Sequence, residues 1–285
     1  MTWKEALGKT AKYLDAKGVP DAAVASELLA ARLLRCGRGT LVPHLEKEVP
    51  EKCVEALRRA MARLVKGEPI QYVLGEWDFR KLTLKCDPRA LIPRPETEEL
   101  VTRVLAFLNS RKSERCVVVD VGTGTGAIAL SLAKEFAGPA VFLGTDISED
   151  AIVLAKENAA RCGLAGRVKF AVADGLDDFD EGGMFDVIVS NPPYVTRAEM
   201  EKLDPRVRDH ESRLALDGGE TGLDFYERYL ADAMNLLRSG GKIFFEIGEN
   251  QGEAVARMMS DYGFADVKVE KDFAGHDRYA SARQQ

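Results

Sequence analysis

Asn191-Pro192-Pro193-Tyr194 places an amide, two rings without backbone N–H and an aromatic face in four consecutive residues. It directly follows Asp186-Val187-Ile188-Val189-Ser190, an apolar run that reads as a buried strand, so the four residues are expected at a strand end. Two successive prolines fix φ near −65° and donate nothing, which leaves the carbonyls there free of a regular ladder. Asn191 adds a side-chain oxygen as acceptor and Tyr194 a flat ring. The set suits a planar substrate with an NH2 group, which can donate both hydrogens to fixed oxygens while its plane lies on the ring.

Upstream, Cys116-Val117-Val118-Val119-Asp120-Val121 is a β-branched run ending in Gly122-Thr123-Gly124-Thr125-Gly126, after which Ala127–Ala133 has helical composition. A strand, a glycine turn and a helix let backbone approach a ligand closely and aim helix N–H groups at its polar end. A second strand, Ala140–Thr145, ends at Asp146, twenty positions beyond Gly126, where a ribose hydroxyl pair needs an acceptor. A nucleoside-containing cofactor follows. Gly124-Thr125-Gly126-Ala127-Ile128-Ala129 also satisfies a dinucleotide fingerprint, so the glycines alone do not separate NAD from S-adenosylmethionine. Hydride transfer calls for an oriented His or Lys, and none of His44, His210 and His276 has such a setting. The acid Asp120 just before the glycines fits S-adenosylmethionine better, since a carboxylate there can orient near a cationic amino acid portion.

The chain resembles class I methyltransferases, and within them the peptide-chain release factor glutamine methyltransferases of the HemK/PrmC type. The resemblance is carried by Gln71–Trp77, Leu91-Ile92-Pro93-Arg94-Pro95-Glu96-Thr97-Glu98, Asp120–Gly126, Asn191–Val195, Glu246-Ile247-Gly248 with Gln251-Gly252, and Ala274–Arg278. Asn-Pro-Pro-Tyr is shared with enzymes that methylate the amino group of adenine; the Leu91–Glu98 stretch narrows the choice. Two positions depart from the pattern: Ser212 stands where many relatives have proline, and Gly175 where an aromatic residue often follows the acid Asp174.

The resemblance implies transfer of a methyl group from S-adenosylmethionine to the side-chain amide nitrogen of the glutamine in the Gly-Gly-Gln segment of release factors. The alternative is an exocyclic adenine nitrogen in nucleic acid; a non-catalytic cofactor-binding protein is a further reading. Asn191, Pro192 and Tyr194 are the implied catalytic residues. Asp120, Gly122, Thr123, Gly124, Thr125, Gly126, Asp146, Ile147, Asp174, Gly175 and Asn191 are implied at the cofactor, and Asn191, Pro192, Pro193, Tyr194, Arg94, Pro95 and Glu96 at the substrate. No metal is implied.

The elements that must position these residues alternate. Helices near 97–109, 126–136, 149–162, 223–238 and 251–262 interleave with strands 116–121, 140–145, 167–172, 185–190, 241–247 and 265–271. That order predicts an α/β fold, a Rossmann-like, mostly parallel sheet covered on both faces; the resemblance adds an antiparallel last strand. Gly122, Asp146, Asp174 and Asn191 all fall at expected strand ends, and ligands bind outside the carboxyl ends of such strands. The first part reads as a small helical bundle: Trp3, Leu7 and Leu14 at helical spacing, a second helix capped by Asp21, and a third from about Glu51 to Gly67. The expected division is a helical substrate-recognition domain over 1–75, a β-hairpin linker over 76–93 and a methyltransferase domain over 94–285.

With 285 residues the chain can bury a sizeable core. It has no apolar run long enough for a membrane span and no secretory leader pattern. Five scattered cysteines without a C-x-x-C pair point to free thiols in a reducing cytoplasm. A formal charge of −6 argues against affinity resting on nucleic acid phosphates. A cytoplasmic monomer whose partners are release factors is expected.

Overall fold

The computed structural model describes residues 1–180 and 182–285. It divides into two compact units, Met1–Glu76 with Asp204–His210, and Trp77–Leu203 with Glu211–Gln285.

The first unit is helical. Helix α1 (Trp3–Ala16) opens with a capping box, in which Thr2 and Glu5 satisfy each other's backbone N–H, and it buries Trp3, Ala6, Thr10 and Leu14 along one face. Helix α2 (Ala22–Leu34) starts differently from expectation. Asp21 sits at its N-cap but with φ 50°, and its side chain caps nothing. A side-chain cap needs extended backbone at that residue, and the left-handed conformation removes it. Helix α3 (Glu51–Val65) buries Cys53, Leu57 and Leu64. Helix α4 (Ile70–Leu74) ends at Gly75, whose φ of +73° is the left-handed stop that glycine supplies most cheaply. At five residues α4 is too short to show a period.

The second unit begins at Trp77, within a hairpin of β1 (Glu76–Phe79) and β2 (Leu82–Lys85). Arg80 in its turn donates to Glu135 at 2.6 Å and to Thr102 at 2.7 Å. The unit then runs through α5 (Pro95–Ser110), β3 (Cys116–Val121), α6 (Ala127–Glu135), β4 (Ala140–Asp146), α7 (Glu149–Arg161), β5 (Val168–Val172), β6 (Phe185–Ser190) and the short α8 (Arg197–Met200). After the turn of helix α9 (Pro205–Arg208), which belongs to the first unit, come α10 (Asp224–Leu236), β7 (Leu237–Glu246), α11 (Gly252–Asp261), β8 (Ala265–Lys271) and β9 (Asp277–Arg283).

The seven-stranded sheet has the order β5-β4-β3-β6-β7-β9-β8. Five strands from β5 to β7 are parallel, and β9, last in the chain, runs antiparallel between β7 and β8. Strand β9 is absent from the periodic reading because Asp-Arg-Tyr-Ala-Ser-Ala-Arg carries charges at both ends and little β-branched content. Every residue of β6 is buried, as a central strand covered on both faces requires. Alternation sends Val118 and Val187 toward α5 and α6, and Val119, Val121 and Ile188 toward α10 and α11. Between β3 and β6 the chain reverses its direction of travel across the sheet, which opens a crevice at their carboxyl ends. No helix among the described residues is long and apolar enough to cross a membrane.

Candidate functional site

The glycine turn after β3 is held from behind. Asp120 is buried, and its Oδ2 accepts from Thr123 Oγ1 at 2.6 Å and from the Ala129 amide at 3.1 Å. Burial pushes its carboxyl up to about 7, against the pull of those two hydrogen bonds. Gly122, Gly124 and Gly126 all have positive φ, between +54° and +82°. A Cβ on Gly126 would stand 3.0 Å from Leu130 Cδ1 and 3.3 Å from Ala155 Cβ, so this glycine also permits close packing of α6. A Cβ on Gly122 would meet nothing within 4 Å, because that side of the turn opens on a cavity.

At the end of β4, Asp146 Oδ2 accepts from the Gly124 amide at 2.9 Å and Oδ1 from the Ser148 amide at 3.0 Å. Burial raises its carboxyl above the ordinary value. Beyond β5, Asp174 takes a hydrogen bond of 2.7 Å from Arg228, which also donates to the Asp174 carbonyl at 2.9 Å. Asn158 on α7 ties two segments together: its Oδ1 accepts from the Lys85 amide at 2.7 Å, and its Nδ2 donates to the carbonyls of Lys85 and Thr125.

At the end of β6, Ser190 Oγ donates to the Val121 carbonyl at 2.7 Å, locking β6 to β3 just before the polar residues. Asn191 Nδ2 donates to Thr97 Oγ1 at 3.2 Å, and Thr97 donates to Glu246 Oε2 at 2.7 Å. Among the described residues no group donates to Asn191 Oδ1 or to the Pro192 carbonyl. The following backbone is braced by glycines: a Cβ on Gly218 would stand 2.8 Å from the Pro193 carbonyl oxygen, and one on Gly222 would collide with that of Tyr194. Gln251 Nε2 donates to the Tyr194 carbonyl at 3.0 Å. Burial pushes the Tyr194 phenol up to about 12, so it stays neutral. Arg94 donates to the buried Glu211 at 2.6 Å, and the Ile92 amide donates to the same carboxylate at 3.3 Å.

These strand ends surround a cavity of about 300 Å³. Gly122, Thr123, Gly124, Thr125, Asp146, Ile147, Asp174, Gly175, Asn191, Pro193 and Arg94 line it. Asp120 and Gly126 lie behind the turn, Pro192, Pro95 and Glu96 stand off the lining, and Tyr194 lines a neighbouring cavity together with Gln251 and Arg278. The cavity walls fit a nucleoside-bearing sulfonium: an open side at Gly122, a carboxylate at Asp146, and apolar surface from Ile147, Ala173, Phe225 and Tyr229. Among the described residues no group of three or more His, Cys, Asp or Glu is arranged to hold a metal ion.

Comparison with known proteins agrees with this architecture. The family profile described as a methyltransferase domain matches residues 112–262, and that of the PrmC N-terminal domain matches residues 5–75. A release factor glutamine methyltransferase of Moorella thermoacetica is 40% identical over 279 residues, 98% of this chain and 97% of the relative. One from Koribacter versatilis is 38% identical over 284 residues, 100% of this chain and 99% of the relative. The chain belongs to the release factor glutamine methyltransferase family. Among solved structures, a methyltransferase from Pyrococcus furiosus aligns with a TM-score of 0.53 at 21% identity, over 79% of this chain and 97% of that one. A SAM-dependent O-methyltransferase from Thermotoga maritima gives 0.50 at 17% identity, over 68% and 66%. These two likenesses concern the fold.

In this release factor glutamine methyltransferase family member, several residues at the site have partners that no local pattern in the sequence reveals. Glu211 and Glu246 are lone acids that become buried partners of Arg94 and Thr97, 117 and 149 residues away. Phe225, Arg228 and Tyr229 reach the cavity from α10, where they read only as one face of an amphipathic helix. The Gly218–Gly222 brace has a usable signal, since three glycines in five residues mark a place of close backbone approach.

Proposed function

We propose that this chain transfers the methyl group of S-adenosylmethionine to the side-chain amide nitrogen of the glutamine in the Gly-Gly-Gln segment of peptide-chain release factors. The observation that carries the reading is a pair of acceptors without a donor among the described residues, Asn191 Oδ1 and the Pro192 carbonyl, the first from a residue that lines a cavity built from a glycine turn and a strand-end carboxylate and the second from the next residue in the chain. When bound, S-adenosylmethionine supplies a methyl group on a positively charged sulfur. Asp146 would hold the ribose hydroxyls, the Gly122–Gly126 turn the polar end, and Ile147 and Gly175 the base, with Asp174 beside it. Asp120 acts on the turn through Thr123 and Ala129.

An amide nitrogen is a poor nucleophile because its lone pair is delocalised. Asn191 and Pro192 would hold the substrate NH2 by both hydrogens and so aim that lone pair, while Tyr194 packs against the amide plane. Orientation of this kind can contribute about 7 kcal/mol or more to the rate. A neutral Tyr194 is consistent with packing and not with proton removal. Pro193, Pro95 and Glu96 shape the approach, and Arg94 is fixed by Glu211.

Residues 1–75 serve as the substrate-recognition module, 76–93 as the linker and 94–285 as the catalytic domain. The protein acts as a cytoplasmic monomer without nucleic acid. Relatives named for glutamine methylation weigh against an adenine acceptor. The test is peptide mass spectrometry of release factor after incubation with this protein and labelled S-adenosylmethionine. A labelled methyl on the Gly-Gly-Gln glutamine is expected; an unmodified glutamine in the presence of bound cofactor would overturn the reading.

A further inference from the structure

Glu246, the last residue of β7, is 1% exposed and accepts the Thr97 hydroxyl at 2.7 Å, while Thr97 accepts from Asn191 Nδ2 at 3.2 Å. The polarity of this chain follows from the groups themselves. An ionised carboxylate only accepts, so the single Thr97 proton is committed to Glu246. Thr97 Oγ1 then has only acceptor capacity left, and the Asn191 amide must present its NH2 to Thr97. Its Oδ1 is thereby turned to the side without a protein donor. Nothing else at Asn191 distinguishes the two ends of the amide, which differ little in size.

We propose that Thr97 and Glu246 are positioning residues of the methyl transfer: their hydrogen-bonded chain fixes which end of the Asn191 amide meets the substrate, and it does so only while Glu246 is ionised. This rests on the reading that Asn191 Oδ1 accepts from the substrate amide. A protonated Glu246 can donate to Thr97, freeing the Thr97 proton for Asn191 Oδ1. The amide then turns, and NH2 faces NH2 across the site. The groups around Glu246 are Arg278 from β9, Arg94 and Glu96 from the start of α5, and the phenols of Tyr194, Tyr226 and Tyr279. Burial pushes the Glu246 carboxyl up to about 7, against the Thr97 hydrogen bond and the two arginines. The chain therefore breaks on the acid side of neutrality, and turnover rises as Glu246 loses its proton.

The experiment compares Asn191→Ala, Glu246→Gln, Thr97→Val and Thr97→Ser by kcat, KM and pH profile, with cofactor affinity by calorimetry and thermal unfolding for each. Glu246→Gln can donate or accept at Thr97, so it is expected to lower kcat by about tenfold or more and to flatten the rise in kcat through neutrality. Thr97→Val is expected to lower kcat similarly, and Thr97→Ser to recover most of that loss, with cofactor affinity kept in all three. Should Glu246→Gln not fold, the Thr97 pair decides. Retained turnover in Asn191→Ala would overturn the reading of Asn191 itself. Loss in Asn191→Ala, with wild-type kcat and pH profile in Glu246→Gln and Thr97→Val, would overturn this proposal alone.

Discussion

The ring of Tyr229 occupies the space where a side chain on residue 175 would begin: a Cβ on Gly175 would stand 2.8 Å from Tyr229 Cε1. Gly175 also has φ +67°, and both residues line the same cavity. The chain brings aromatic surface in from α10 and leaves residue 175 bare. Gly175→Ala is expected to lower stability by about 1–3 kcal/mol, through the left-handed backbone and the contact with the ring together. Cofactor affinity falls with it as Tyr229 is displaced. Thermal unfolding and calorimetric titration check both; unchanged values would mean that Tyr229 moves aside freely.

Asn158 is fully buried and serves both β2 and the glycine turn through three hydrogen bonds. Truncation leaves the Lys85 amide and the Thr125 carbonyl without this partner, and each buried orphan costs about 1–3 kcal/mol. Asn158→Ala should lower the denaturation midpoint and weaken cofactor binding, because the turn loses its tether. A midpoint within error of wild type would show that Asn158 does not hold the turn.

Asn191 and Asp146 are expected to fail in opposite ways. Asn191→Ala should leave cofactor affinity nearly intact while lowering kcat by about tenfold or more, since it removes an orienting acceptor. Asp146→Ala should weaken the cofactor first, through the loss of both a ligand acceptor and the bonds to Gly124 and Ser148. Parallel loss of cofactor in Asn191→Ala, or full activity of Asp146→Ala at limiting cofactor, would reverse these assignments.

What could be read from the sequence and what could not divide along a physical line. The glycine turn, Asp146, Asp174 and Asn191 were legible because each stands where a local pattern ends, and the sheet then gathers strand ends at one edge. The helices α5, α6, α7, α10 and α11 were legible from period. Glu246 was legible only as part of a stretch that resembles the family, and the roles of Glu246 and Glu211 were not, because burial and partner are both properties of the folded chain, and a Glu without a local pattern reads as surface. Asp21 misled for the converse reason: its residue type favours capping, while its left-handed backbone conformation forbids it.

Ser212 stands in a backbone conformation that a proline could take. Its φ of −61° is the value that proline imposes, and among the described residues no group accepts from its amide. Ser212→Pro is expected to raise stability by about 0.4–1 kcal/mol through the unfolded chain, with the Arg94–Glu211 pair kept. Chemical denaturation measures this, and a loss of stability would indicate that the backbone of Glu211 cannot precede a proline.

Glu246 sets stability against function. Its carboxyl is raised from 4.5 to about 7 by burial, so the folded state holds the proton more tightly than the unfolded one. The stabilisation from that proton is full below about 4.5 and is lost as pH rises through about 7. Asp120, raised from 3.8 to about 7 for the same reason, adds to the slope. Glu246→Gln removes the buried charge, so relative to wild type it should gain stability from pH 5 to pH 8, by up to about 3 kcal/mol as an upper bound. Urea denaturation of both proteins at those two pH values tests this, and a wild-type advantage that grows with pH would show the ionised carboxylate to be stabilising. If the gain appears while turnover falls, the buried carboxylate is retained for the orientation of Asn191 and not for the fold.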